Sequence, residues 1–409
     1  MIRLSLLFAL PLLLAPGLLG CNPDDSGSRS EVSSSTTDTN GSAREVSVPA
    51  GPRSGRPRLN WGNNQLLLSW TEPAEDSLNA LRYAAWTGSG WSEPQTAATG
   101  RNWFVNWADT PGVVGRHDGG LLAHFLVSQP NEDNPYAYDI HLATSSDGVW
   151  DDPAILNDDG TATEHGFVSA IPGLNALVWL DGRGYETTDA MSLRFARLDA
   201  EGVFSDSVVL DDRVCDCCPT DAVQTEKGAV VVYRDRSPDE VRDIAIVRLV
   251  DGRWSEPTLV HADGWEINGC PVNGPAVAAA GERVAVAWFT GAGEQPRVLA
   301  AFSSDGGASF GPPIQVDDGE AIGRVDIVFS HDGIAAVSWL ERDGEAVALR
   351  IRGVRADGAT PARTVAHVAA GRASGYPVLA VLGDSLLVAW TDPEAEVPLR
   401  TVILSDDLR

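Results

Sequence analysis

An apolar strand ending in an aromatic residue recurs seven times along the chain, and this recurrence constrains the fold more than any other feature. Its copies are Leu66-Leu67-Leu68-Ser69-Trp70, Leu121-Leu122-Ala123-His124-Phe125, Asn175-Ala176-Leu177-Val178-Trp179, Val230-Val231-Val232-Tyr233, Val284-Ala285-Val286-Ala287-Trp288, Ala335-Ala336-Val337-Ser338-Trp339 and Leu386-Leu387-Val388-Ala389-Trp390. Successive aromatics lie 51–55 residues apart. A fixed period of this length marks units that bury their apolar faces only against one another. Each unit reads as four strands. An inner strand such as Pro275-Ala276-Val277-Ala278 precedes the aromatic-ended one, and an alternating strand such as Leu81-Arg82-Tyr83-Ala84-Ala85-Trp86 follows it. A phrase such as Trp91-Ser92-Glu93-Pro94, Trp254-Ser255-Glu256-Pro257 or Phe310-Gly311-Pro312-Pro313 then opens the fourth.

Short, evenly spaced strands with glycine-rich turns predict an all-β protein, a β-propeller of seven four-stranded blades. Six blades and an irregular segment are the fallback. The last unit runs out of chain after three strands, near Val402–Leu404, and Glu45-Val46-Ser47-Val48-Pro49 has the pattern to supply the fourth. Closure of this kind removes two exposed sheet edges.

The amino end sets an expected address. Arg3 precedes an apolar run from Leu4 to Leu14, too short and too poorly flanked for a spanning helix and fitting for a signal peptide. Leu18-Leu19-Gly20-Cys21 resembles the bacterial lipobox, which implies cleavage after residue 20 and acylation of Cys21. Residues 21–43 are rich in Ser, Thr, Asp and Gly and read as a flexible tether, with the propeller over 44–409. The expected location is the cell envelope, anchored through lipid. Asn22 after the cysteine favours the outer membrane, on its periplasmic or surface side. The net charge of −27 repels phosphate backbones and sets nucleic acid aside as a partner.

Ser303-Ser304-Asp305-Gly306-Gly307-Ala308-Ser309-Phe310 resembles the Asp box of sialidase-like (BNR-repeat) propellers, and Ser145-Ser146-Asp147-Gly148-Val149-Trp150 is a shortened copy. The resemblance implies a propeller and a pocket on the face that carries the loops into the inner strands. It carries no catalytic residue across. The family's Arg-Ile-Pro phrase is at most Gly55-Arg56-Pro57-Arg58 here, and the family's enzymes have six blades. The chain is also similar to uncharacterised exported propellers that join an Asp box to a Cys-x-Cys-Cys-Pro phrase.

Polar loops on that face supply the candidate site. Arg183, Arg234 and Arg236 are expected to converge on an anionic ligand by forked hydrogen bonding, with Asp221 and Asn273 beside them. Asp181, Asp235, Glu186 and Tyr185 are the candidates for proton handling or catalysis. The alternative is a solvated loop of self-compensating ion pairs. Trp103, Trp107, Tyr185, Trp265 and Tyr376 are candidates for stacking on sugars or for packing between blades. Cys215, Cys217, Cys218 and Cys270 form an even set in an oxidising compartment and predict two disulfides, with Cys218–Cys270 and Cys215–Cys217 as the preferred pairing. The alternative is a thiolate metal site, which His165 would join; no cofactor is otherwise called for.

Two functions fit. One is an envelope protein that binds or hydrolyses glycans at the central face, an exo-sialidase-like glycoside hydrolase if it is an enzyme. The other is a non-enzymatic scaffold docking another envelope protein.

Overall fold

The structure is a computed structural model, and it describes residues 43–408 apart from 63, 131–133, 158, 172, 200–202 and 406–407. The expected leader, Cys21 and nearly all of the expected tether lie outside the described residues.

The chain forms seven antiparallel sheets arranged as propeller blades. The aromatic-ended strands are the second of each blade. In blade 1 the strands run Gly55–Gly62, Gln65–Pro73, Asn79–Ala85 and Gln95–Gly100, each hydrogen-bonded to the next. The inner strands of blades 2 to 7 are Gly112–Gly115, His165–Ile171, Asp221–Thr225, Ala276–Ala280, Ala321–Phe329 and Val378–Leu382. Blade 7 closes with Ala43–Val46, which pairs antiparallel with Leu399–Ser405, so the ring is sealed by the amino-terminal strand as predicted, two residues earlier than expected. The four-residue Tyr185–Thr188 is the one α-helix among the described residues.

The second strands hold the ring together because both of their faces are covered. Trp70, Trp179, Trp288 and Trp339 have no exposed surface, and burying a side chain of this size contributes several kcal/mol. Loops leading into the inner strands and loops between second and third strands lie on one face, called upper here. The remaining turns lie on the lower face. The Ser303–Phe310 segment that resembles the Asp box is a lower-face turn of blade 5. The Ser303 hydroxyl donates to Asp305 at 2.7 Å, and Ser309 donates to the same carboxylate through its N–H (3.0 Å) and its hydroxyl (2.7 Å). These donors hold the Asp305 carboxyl well below the usual range. Gly306 and Gly307 have φ of 73° and 79°, the left-handed region in which a side chain is strained. The turn is a local staple, remote from the upper face.

Candidate functional site

One set of side chains recurs from blade to blade. The indole N–H of Trp70 donates to Glu72 at 2.9 Å, that of Trp179 to Asp181 at 2.9 Å, and that of Trp339 to Glu341 at 2.9 Å. Directly across the ladder from each Trp stands an arginine: Arg82, Arg194 and Arg350. Each approaches the same acid, at 3.1, 3.7 and 3.6 Å. Trp390, Asp392 and Arg400 occupy the same positions in blade 7. A buried indole needs an acceptor and a buried guanidinium needs a counter-charge, so a single acid two residues after the Trp serves both.

A second set surrounds the ring axis. Asp109, Asp221 and Asp326 belong to blades 2, 4 and 6, and each accepts a backbone N–H from the next blade: Phe167 at 2.8 Å, Val277 at 2.8 Å and Leu379 at 2.6 Å. Each carboxylate is a staple between adjacent blades. Blade 1, left over in an odd ring, contributes Arg58, which donates to the Thr110 hydroxyl at 2.8 Å and the Val168 carbonyl at 3.2 Å. Arg58 feels all three carboxylates, although burial is the larger influence and lowers its pKa. Burial likewise raises Asp109 to about 7, Asp221 to about 6 and Asp326 to about 7.

Above these groups, loops of non-adjacent blades meet and therefore cross the axis. Trp107, ahead of blade 2, stacks on Tyr376, ahead of blade 7, with ring centroids 6.0 Å apart. The Tyr376 hydroxyl donates to the Val272 carbonyl ahead of blade 5 at 2.6 Å, and the Arg324 guanidinium of blade 6 lies 4.5 Å from the Trp107 ring. Below, a channel cavity of about 480 Å³ runs between the inner strands past Ala222, Val277 and Leu379 to Trp61, which is 51% exposed at the lower end.

The residues singled out from the sequence fall in other places. The three arginines share no hydrogen-bond partner and do not converge. Arg234 is 1% exposed, and its three nitrogens donate to the carbonyls of Asn273 (2.9 Å), Arg242 (2.6 Å) and Phe289 (2.7 Å) while its guanidinium covers Trp265. Burial lowers its pKa to about 10. Arg236 is held by Glu240 at 2.8 Å and Asp216 at 2.9 Å, and the hydrogen bonds from Arg236 and Arg242 bring Glu240 down to about 2. Arg183 is forked onto Asp181 at 2.7 and 2.8 Å. The loop is thus neither a ligand claw nor a freely solvated surface; its arginines are buried between blades.

Asp181 is wholly buried as the recurring acid of blade 3, and Asp221 is an axial staple. Asn273 accepts the Arg324 N–H at 2.8 Å and ties blade 5 to blade 6. Asp235, raised to about 6 by burial, accepts the Arg236 N–H. Tyr185 and Glu186 are exposed on the short helix. Of the aromatics, Trp103 stacks on Phe125 and Trp265 packs on Phe289, so both are blade packing. Trp107 and Tyr376 sit at the axis, and Tyr185 stays open to solvent.

Two disulfides are present, with a different pairing from the preferred one: Cys215–Cys218 and Cys217–Cys270. The sulfurs of Cys215, Cys217 and Cys218 lie close together, so spacing alone did not determine which pairs form. The Cys217–Cys270 bond ties the loop ahead of blade 4 to the loop ahead of blade 5. His165 lies with Asp159 and Asp181 instead of the cysteines.

The chemistry best placed on the upper face involves three residues not singled out from the sequence. Tyr138 opens the third strand of blade 2, and its hydroxyl donates to Asp109 at 3.3 Å. Its backbone forms a bridge with Glu164, which immediately precedes the inner strand of blade 3, and the phenol is close enough to feel that carboxyl. Glu164 is only part-buried, and burial together with the negative charge of Asp216 raises it to about 7. Gly166 makes the arrangement possible, since a Cβ there would stand 2.0 Å from the Asp109 carboxylate and 2.9 Å from the Tyr138 ring. A phenol between two carboxyls, one reaching the surface, is a proton-handling set.

No family profile and no curated protein matches the chain. Solved structures do. The chain is similar to a protein of unknown function from Dyadobacter fermentans, at 14% identity and a TM-score of 0.52, over 91% of this chain and 99% of that one. It is similar to an ulvan lyase, a polysaccharide lyase solved with -[GlcA(1-4)Rha3S]- bound, at 13% identity and a TM-score of 0.55, over 89% and 96%. A further polysaccharide lyase matches at 10% identity and a TM-score of 0.50, over 85% and 89%. At such identities the likeness establishes the propeller fold alone.

Proposed function

We propose that the chain is an exported, lipid-anchored envelope protein that binds a glycan on its upper face and cleaves it with Glu164 as the proton-transferring group. The carrying observation is the Asp109–Tyr138–Glu164 set, in which the outermost carboxyl titrates near neutrality because of burial and Asp216. A group with a pKa near the working pH both donates and accepts protons readily. Tyr138 stands beside it, with Asp109 behind. Glycosidic cleavage by hydrolysis or by elimination needs such a group, and two of the similar propellers are polysaccharide lyases by name. Acylation of Cys21 and the tether would hold the site away from the membrane.

The test is incubation of the full-length protein with a panel of neutral, sialylated and uronate-containing glycans, with detection of reducing ends and of unsaturated products. The expected outcome is turnover of one class, reduced about 100-fold or more in Glu164→Gln with an unchanged melting curve. Turnover unaffected by that substitution, or no glycan bound or cleaved, rejects the reading. The second reading, a non-enzymatic scaffold, draws support from Trp107, Tyr376 and Val272, which cover the axis with a surface suited to docking a protein. Glycan binding without any turnover leaves a lectin, and neither leaves the scaffold.

A further inference from the structure

Blade 3 carries more polar side chains around its buried acid than its sister blades do. The bonded partners of Glu72 and Glu341 include no histidine and no second carboxylate. Around Asp181 stand His165, Asp159 and Arg183 as well. His165 has no exposed surface. Its Nδ1 faces the Tyr138 carbonyl at 3.2 Å, with an Asp139 oxygen at 3.7 Å. A hydrogen on Nδ1 serves that carbonyl and leaves the Nε2 lone pair pointing the other way. Nε2 faces Thr163 Oγ1 at 3.4 Å, Asp159 Oδ2 at 3.5 Å and Asp181 Oδ1 at 3.8 Å. A lone pair aimed at two carboxylate oxygens is repulsive, and either a proton on Nε2 or a cation among the three groups relieves it.

We propose that Asp159, His165 and Asp181 form a binding site for a first-row divalent metal ion, and that Arg183 is the stand-in cation the ion displaces. Metal–ligand bonds of about 2.0–2.1 Å in tetrahedral geometry separate neighbouring ligand atoms by about 3.3 Å. The observed 3.5 and 3.8 Å separations need only a small contraction to reach that. A second observation is independent of the spacing. The Asp159 side chain is 8% exposed, yet its Oδ1 has no hydrogen-bond partner, although a buried carboxylate oxygen is costly to leave unpaired. Arg183 Nε now bridges Asp159 Oδ2 at 3.1 Å and Asp181 Oδ1 at 2.7 Å, the two oxygens that face the imidazole. Its side chain is 25% exposed and follows Gly182, so it has a route outward. One imidazole with two carboxylates selects a transition-metal dication over calcium or magnesium, which prefer all-oxygen sites. The Tyr138 carbonyl supplies the outer contact that metal-binding histidines require.

The experiment is calorimetric titration of Zn²⁺ into the purified full-length chain, with Cys215, Cys217, Cys218 and Cys270 verified as oxidised so that thiolates cannot bind the ion. One Zn²⁺ per chain is expected, with a raised melting temperature. Arg183→Ala should tighten binding at least tenfold by removing the competitor. His165→Gln should weaken it at least tenfold, and Asp159→Asn should do the same. Because His165 is fully enclosed and its variant is at risk of misfolding, Asp159→Asn is the deciding substitution. Absence of saturable Zn²⁺ binding in both the wild type and Arg183→Ala overturns the proposal, as does affinity unchanged in Asp159→Asn. Calcium binding in place of Zn²⁺ overturns the assigned ion class.

Discussion

Blades 1 and 6 differ instructively from blade 3. All three pair a buried Trp with an acid two residues later and an arginine across the ladder: Trp70, Glu72 and Arg82; Trp339, Glu341 and Arg350; Trp179, Asp181 and Arg194. In blades 1 and 6 the indole, the guanidinium and one backbone N–H account for the acid. In blade 3 the shorter Asp181 is joined by His165, Asp159 and Arg183, with Glu164 and Tyr138 alongside. Polar groups that recur at equivalent positions hold the ring. Those present in one place only need another explanation, and we place the chemistry there.

Substitutions that break the comparison should differ in size accordingly. Arg234→Ala is expected to have the largest effect, about 5 kcal/mol in urea unfolding, because it leaves three buried carbonyls without a donor. A near-native melting curve would restore Arg234 as a free ligand-binding group. Removing the Cys217–Cys270 bond with paired alanines should cost about 4 kcal/mol, since it closes a loop with a sequence separation of 53. Losing Cys215–Cys218, at a separation of 3, should cost about 2 kcal/mol. Peptide mapping of the oxidised protein checks the pairing itself.

The axial carboxylates predict a pH dependence of intermediate size. Burial raises Asp109, Asp221 and Asp326 to about 7, 6 and 7 in the folded state, against about 4 unfolded. Folded and unfolded forms are both protonated below that lower value, so these groups cost nothing there. The cost appears as pH climbs through the window and each acid ionises in the unfolded chain first. Stability should therefore rise by about 3 kcal/mol on going from about pH 6.5 to about pH 5.5. A melting temperature that falls over this range would show that the carboxylates are stably ionised. Glu341→Gln should cost about 2 kcal/mol, because Arg350 loses its buried counter-charge. Asp159→Asn should cost about 1 kcal/mol or less, since Arg183 keeps its closer contact with Asp181 and the amide oxygen can still accept from Thr161.

The ring was legible in the sequence because its period is carried by side chains that must be buried, and a buried aromatic every 51–55 residues leaves a trace no loop can imitate. The closing strand was legible for a similar reason, from an unpaired third strand and a matching segment at the other end. The site was less legible. The loop of Arg234, Arg236 and Glu240 has the composition of a ligand claw, but composition does not tell whether a guanidinium turns toward solvent or into a blade junction. The acid after each Trp stands in the sequence as Trp70-Thr71-Glu72, Trp179-Leu180-Asp181 and Trp339-Leu340-Glu341; reading that repeat would have marked Asp181 as scaffold. Asp109, Tyr138 and Glu164 come from three separate stretches joined only by the fold, so no local pattern announces them.

The account turns on a division of labour, which is best measured by assaying Glu164→Gln and Glu341→Gln in parallel for melting temperature and for glycan turnover per folded molecule. It predicts that the first keeps its stability and loses its turnover, and that the second loses stability while each folded molecule works at the wild-type rate. A fully active Glu164→Gln, or a Glu341→Gln that melts normally but is inactive, would contradict it.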